Sequence, residues 1–101
     1  MSTQLLPFDL SAILDSDEAV AEYVRQVLED GDTDEMLRAV GHVAKARGMA
    51  QVARDAGLGR ESLYKALRPG AQPKFETMNR VFGALGFRLS VEPVKRPGAA
   101  A

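Results

Sequence analysis

The chain has 101 residues, 46% of them hydrophobic and 27% charged, a composition that fits one small globular domain and excludes a disordered or fibrous chain. It has no cysteine, which removes disulfide scaffolds, thiol catalysis and cysteine-based metal or iron–sulfur sites. The formal charge of −1 conceals a division, because residues 1–35 hold ten acids against Arg25 alone (net −9), whereas residues 36–101 hold twelve bases against four acids (net +8); a basic body of this kind suits a phosphate-bearing partner.

Asp15-Ser16-Asp17-Glu18 places an N-cap carboxylate, Asp15, three residues before Glu18. Val20, Tyr23, Val24, Val27 and Leu28 follow at i, i+3, i+4, i+7, i+8, which predicts an amphipathic helix over about 16–30. Asp32-Thr33-Asp34-Glu35 repeats the capping arrangement after Gly31. Leu37, Val40, Val43 and Ala44 form the next apolar stripe, a helix over about 33–47 that Gly48 stops. The acids at both starts complement the helix macrodipole and are also suited to a basic partner.

Met49, Val52, Ala53 and Ala56 give only two helical turns before Gly57-Leu58-Gly59, and a second short helix runs on to Leu67 with Leu63 and Leu67 inward. Arg68-Pro69-Gly70-Ala71-Gln72-Pro73 is a loop, since two prolines and a glycine interrupt any helix. A fifth helix starts near Phe75, with Phe75, Met78, Val81, Phe82 and Leu85 on one buried face and Gly86 as its stop. Beyond it the period becomes two. Phe87, Leu89 and Val91 alternate with Arg88, Ser90 and Glu92, which predicts a strand needing a partner, either the segment Leu5 to Leu10 or the same strand of a second subunit. Residues 93–101 read as a flexible tail.

The two short helices have the internal logic of a helix-turn-helix over about 49–68. Ala53 is small where the helices cross, Gly57 takes the positive φ of the turn, and Val52, Ala56, Leu58, Leu63 and Ala66 fix the crossing. Arg60, Glu61, Tyr64, Lys65 and Arg68 fall on the side opposite Leu63 and Leu67, placed as a recognition helix is in a major groove. The plain alternative for the same spacing is a helical hairpin with a solvated polar face.

From Gly48 to Leu67 this chain resembles the probable addiction-module antidote family, HigA-like antitoxins with a lambda-repressor-type helix-turn-helix. Phe8-Asp9 followed by Leu14, the Tyr23 to Leu28 helix, Pro73-Lys74-Phe75 and Leu85-Gly86-Phe87-Arg88-Leu89 extend the similarity over about Leu5 to Glu92. The resemblance implies a mainly α, five-helix, lambda-repressor-like domain over 1–92, closed by the short C-terminal β-strand. It also implies an antitoxin that neutralises a RelE/ParE-like toxin by direct binding and, as a homodimer, represses the shared operon through double-stranded operator DNA. On the matching positions it implies that Gln51 and Arg60 to Ser62 reach phosphates and base edges, with Tyr64, Lys65 and Arg68 one and two turns later. Gly59 departs from the serine or threonine common at the start of such a recognition helix, so a side-chain cap is expected to be missing there.

Lys74 is expected to touch only phosphate, and Phe87, Leu89 and Val91 to hold the dimer. The same helices would also serve a stand-alone prophage-type regulator or a protein-interaction module without a toxin. An enzyme is not expected. His42, the one histidine, has no spacing-fixed partner, Ser62 lacks a nucleophile-elbow motif, and Gly57-x-Gly59 lacks both the third glycine and the preceding strand of a dinucleotide site. No metal or cofactor is expected. No apolar run reaches the roughly 18–20 residues of a membrane span, and Met1 to Leu10 lacks a signal peptide's pattern, so the expected address is cytoplasmic.

Overall fold

In the computed structural model, which describes residues 16–95, five helices follow one another: α1 (Asp17–Asp30), α2 (Thr33–Arg47), α3 (Met49–Ala56), α4 (Arg60–Ala66) and α5 (Phe75–Ala84). The features expected at Leu5 to Leu10, Phe8-Asp9, Leu14 and Asp15, and the tail beyond Lys95, lie outside the described residues.

The helix ends follow from local chemistry. The cap of α1 is Ser16 and not the expected Asp15: the Ser16 Oγ accepts from the Ala19 N–H at 3.1 Å. In a run of three cap-forming residues, the one that takes the extended backbone immediately before the helix becomes the cap, and that residue is Ser16 (φ −131°, ψ 134°). The Asp32 carboxylate caps α2 as expected, accepting from the Glu35 N–H at 3.1 Å. α3 ends in a Schellman motif: Gly57 has φ +73°, its N–H donates to the Arg54 carbonyl at 3.1 Å, and the Leu58 N–H reaches back to the Ala53 carbonyl at 2.9 Å. The same pair of bonds closes α5, where the Phe87 N–H donates to the Phe82 carbonyl at 2.9 Å. In both motifs the residue after the glycine, Leu58 or Phe87, turns back onto the core.

Val20, Leu37, Val40, Val43, Leu63 and Val81 are fully buried, one or more from every helix except α3, which adds Met49, Val52, Ala53 and Ala56. α1 packs on α2, and α3 sits centrally, packed on α2, α4 and α5. Burying each large aliphatic side chain contributes about 1.5–3 kcal/mol, so the stripes read from the sequence are what hold the helices together. Two of their members are displaced. Phe75, expected inward, is 72% exposed: it is the first residue of α5, where side chains lean toward the helix start and so away from Met78 and the core. Leu28 is also exposed, on the last turn of α1.

No β-strand forms among the described residues, which corrects the strand expected at 87–92. A strand requires a second extended backbone to pair with, and the described part of the chain offers none. The alternation instead records burial, since Phe87 and Leu89 pack partly against the core while Arg88 and Ser90 face water. It ends at Val91, which is 97% exposed.

One arginine closes the molecule. Arg47, in the last turn of α2, donates to the Leu85 carbonyl at 3.0 Å and to Asp17 Oδ1 at 2.8 Å, and its guanidinium lies 5.9 Å from the Phe87 ring centroid. It thereby joins the end of α2 to the start of α1, the end of α5 and the segment beyond.

Candidate functional site

The site begins with the turn Gly57-Leu58-Gly59, which redirects the chain so that α4 crosses α3. Leu63 and Leu67 anchor α4 inward. With 3.6 residues per turn, this leaves Arg60 and Tyr64 in one outward row, with Arg68 following just past the helix end, and Glu61 and Lys65 in the next. All five are exposed, as is Ser62. Gly59 precedes the helix without a side-chain cap, as the sequence led us to expect.

Two contacts shape this face that sequence reasoning did not anticipate. The Arg60 guanidinium lies over the Tyr64 ring at 5.9 Å from its centroid, an i, i+4 cation–π pair that aligns two of the candidate residues. Gln51, on the outer side of α3, donates its amide to Asp55 Oδ1 at 2.8 Å and accepts from Arg54 Nη1 at 3.1 Å, so its amide is already oriented. Both pairings are of residues three or four apart on one helix, a signal that sequence spacing carries. Lys74 is exposed and precedes α5. A shallow depression lined by Ser62, Lys65, Gln72 and Pro73 connects α4 to the loop that Lys74 follows.

The basic side chains on this side are free of ion pairs among the described residues. Arg25 pairs with Glu22, Arg38 with Glu35, Arg47 with Asp17 and Arg80 with Glu76, whereas Arg60, Lys65, Arg68 and Lys74 have no ion-pair partner among the described residues. An unpaired surface cation keeps its full attraction for an incoming anion. The family model of the probable addiction module antidote protein matches residues 4–93 of the chain. The chain belongs to this family.

A relative of this antidote-family chain, an uncharacterized protein of Haemophilus influenzae, is 40% identical over 92 residues, which cover 91% of the chain and 95% of the relative. No solved structure matches the chain significantly. The antidote-family chain carries Asp17, Glu18, Glu22, Glu29 and Asp30 on α1 and Asp34 and Glu35 in the first turn of α2, whereas the acid of α4 is Glu61. Of the residues expected to hold a dimer, Phe87 and Leu89 are half-buried against the chain's own core and Val91 alone is fully presented. Among the described residues no helix is long and apolar enough to cross a membrane, and no group of three or more His, Asp or Glu is placed to hold a metal ion.

Proposed function

We propose that this antidote-family protein is the antitoxin of a type II toxin–antitoxin module, a cytoplasmic regulator without catalytic activity of its own. It neutralises a RelE/ParE-like toxin by direct binding and represses the operon the two share. α3 and α4 act as a lambda-repressor-type helix-turn-helix, α4 being the recognition helix of each subunit in a homodimer. The observation that carries this reading is the set Arg60, Tyr64 and Lys65 on the outer side of α4 with Arg68 just past its end, exposed beside the inward anchors Leu63 and Leu67, the three cations having no ion-pair partner among the described residues, in a chain whose family is that of addiction module antidotes.

Such a helix has the dimensions of a major groove and the donors to read guanine and hold phosphate. The acids of α1 and α2 are complementary to a basic toxin, and a dimer would hold two recognition helices about 34 Å apart, one helical turn of a palindromic operator. Gel shifts on the DNA upstream of the gene, at several salt concentrations and with and without the toxin encoded beside it, test this. Retardation that weakens steeply with salt is the expected result. No binding at low salt in either condition overturns the repressor assignment; binding to DNA in a protein that captures no toxin supports a stand-alone regulator instead.

A further inference from the structure

A groove of about 270 Å³ lies between α2 and α4 and shares Tyr64 and Arg68 with the candidate DNA-facing side. Arg38, His42 and Lys45 form one wall, at i, i+4 and i+7 on α2, and Tyr64 and Arg68 the other, while Leu37 and Leu67 belong to the apolar lining beneath. None of the lining residues is a carboxylate. The acids nearest in sequence are occupied: Glu35 pairs with Arg38 at 3.2 Å, and Asp34 Oδ1 accepts the Gly70 N–H at 2.8 Å. On α4 the acid is Glu61, one turn before Tyr64. Lys45 and Arg68 have no ion-pair partner among the described residues.

We propose that this groove is a phosphate site that holds the sugar–phosphate backbone of duplex DNA beside the major groove read by α4; the inference rests on the DNA-binding reading above. A phosphodiester needs donors without acceptors, and the groove supplies them: two lysine or arginine charges free of partners, an imidazole N–H from His42 and the Tyr64 hydroxyl. The apolar lining lowers the local dielectric and so strengthens each of these contacts. Tyr64 and Arg68 line the groove and also belong to the exposed side of α4 and the residues just past it, so a strand backbone lying along α4 reaches the groove through these two side chains. Gly41 belongs to the lining. A Cβ there would meet only the Leu67 Cβ at 4.0 Å, an ordinary contact, so an alanine is accommodated and a longer side chain would start from the groove lining.

The test uses the full chain and fluorescence anisotropy on two short duplexes, one from the DNA upstream of the gene and one of random sequence, across a range of salt. Lys45→Ala should lower the slope of log K against log salt by about 1 on both duplexes alike, as loss of one phosphate contact requires. Gly41→Glu, which sets a carboxylate in the groove, should weaken both further, and Gly41→Ala should change neither; melting curves of the three variants should stay near the wild type. If wild type binds and Lys65→Ala lowers its slope while Lys45→Ala and Gly41→Glu do not, the groove is not a phosphate site and the DNA-binding reading stands. If Lys45→Ala weakens toxin capture and leaves DNA binding intact, the groove is part of the toxin contact and the proposal is wrong. If wild type binds neither duplex at low salt, this proposal and the reading beneath it fail together.

Discussion

Arg47 makes three kinds of contact with one side chain, and they are not of equal worth. Its partner Asp17 is 80% exposed, so that ion pair is screened and contributes about 0.2–1 kcal/mol at most. The Leu85 carbonyl, by contrast, belongs to a helix end that has lost its intrahelical donors, and a charged donor there is harder to replace. Arg47→Ala should therefore lower stability by about 1–2 kcal/mol, which at this size shifts the melting temperature down by about 4–8 °C per kcal/mol. Asp17→Ala should move it far less; equal shifts in calorimetry would mean the ion pair carries the effect. Tyr23 offers a pH handle. Partial burial pushes its phenol above the ordinary value of 10.0, with the Glu35 carboxylate adding to the rise. The folded state thus prefers the protonated ring, and the stability this confers is complete below pH 10 and is lost as pH climbs through the raised value. Urea melts on the two sides of that window should show an alkaline loss of stability that is smaller in Tyr23→Phe, whose ring carries no proton to lose.

At the scale of the helix, α4 and the loop after it are expected to divide the reading of DNA between them. Arg60→Ala should cost about 1–3 kcal/mol on the preferred sequence and flatten the preference, because a guanine edge is read by a bidentate donor. Lys74→Ala should weaken all sequences equally, since a phosphate carries no sequence. Competition titrations against random duplex separate the two; equal scaling by both substitutions would remove Arg60 from base readout. The face that carries Arg60, Tyr64, Lys65 and Arg68 was legible in the sequence, because the anchors Leu63 and Leu67 fix which side of so short a helix is out. So were the five helices and the turn at Gly57, where apolar spacing and a left-handed glycine agree. Longer-range features were not legible. Arg47 joins residues 30 and 38 positions away, and no local pattern reports that. The 87–92 segment misled because alternation measures which side chains touch a core, and Phe87 and Leu89 do so without any ladder. Arg38, His42 and Lys45 had readable helical spacing, yet the opposite wall of their groove comes from α4 and exists only once the chain is folded.

For the whole molecule, the question left by Phe87 is how two copies would meet. Phe87 is committed to its own core through the bond to Phe82, so the proposed dimer contact falls to half-buried Leu89, fully exposed Val91 and the unpaired backbone around them. Leu89→Asp should then weaken association and lower operator affinity more than it alters the helical spectrum, because two tethered subunits reinforce each other's hold. Sedimentation at micromolar concentration checks it: a monomeric wild type, or a variant with both properties intact, rules out this contact. Finally, α2 starts among the acids, at Asp34 and Glu35, and ends among the bases, at Lys45 and Arg47, and it is joined to α3 through Gly48 alone, whose carbonyl already accepts from Val52 at 3.0 Å. With so little slack, the two charged ends are held as opposite poles of one electrostatic body. A cationic protein seated on the negative pole would cancel charge that repels DNA, and linkage requires the exchange to be reciprocal: whatever factor the toxin adds to the affinity for operator, the operator must add to the affinity for toxin.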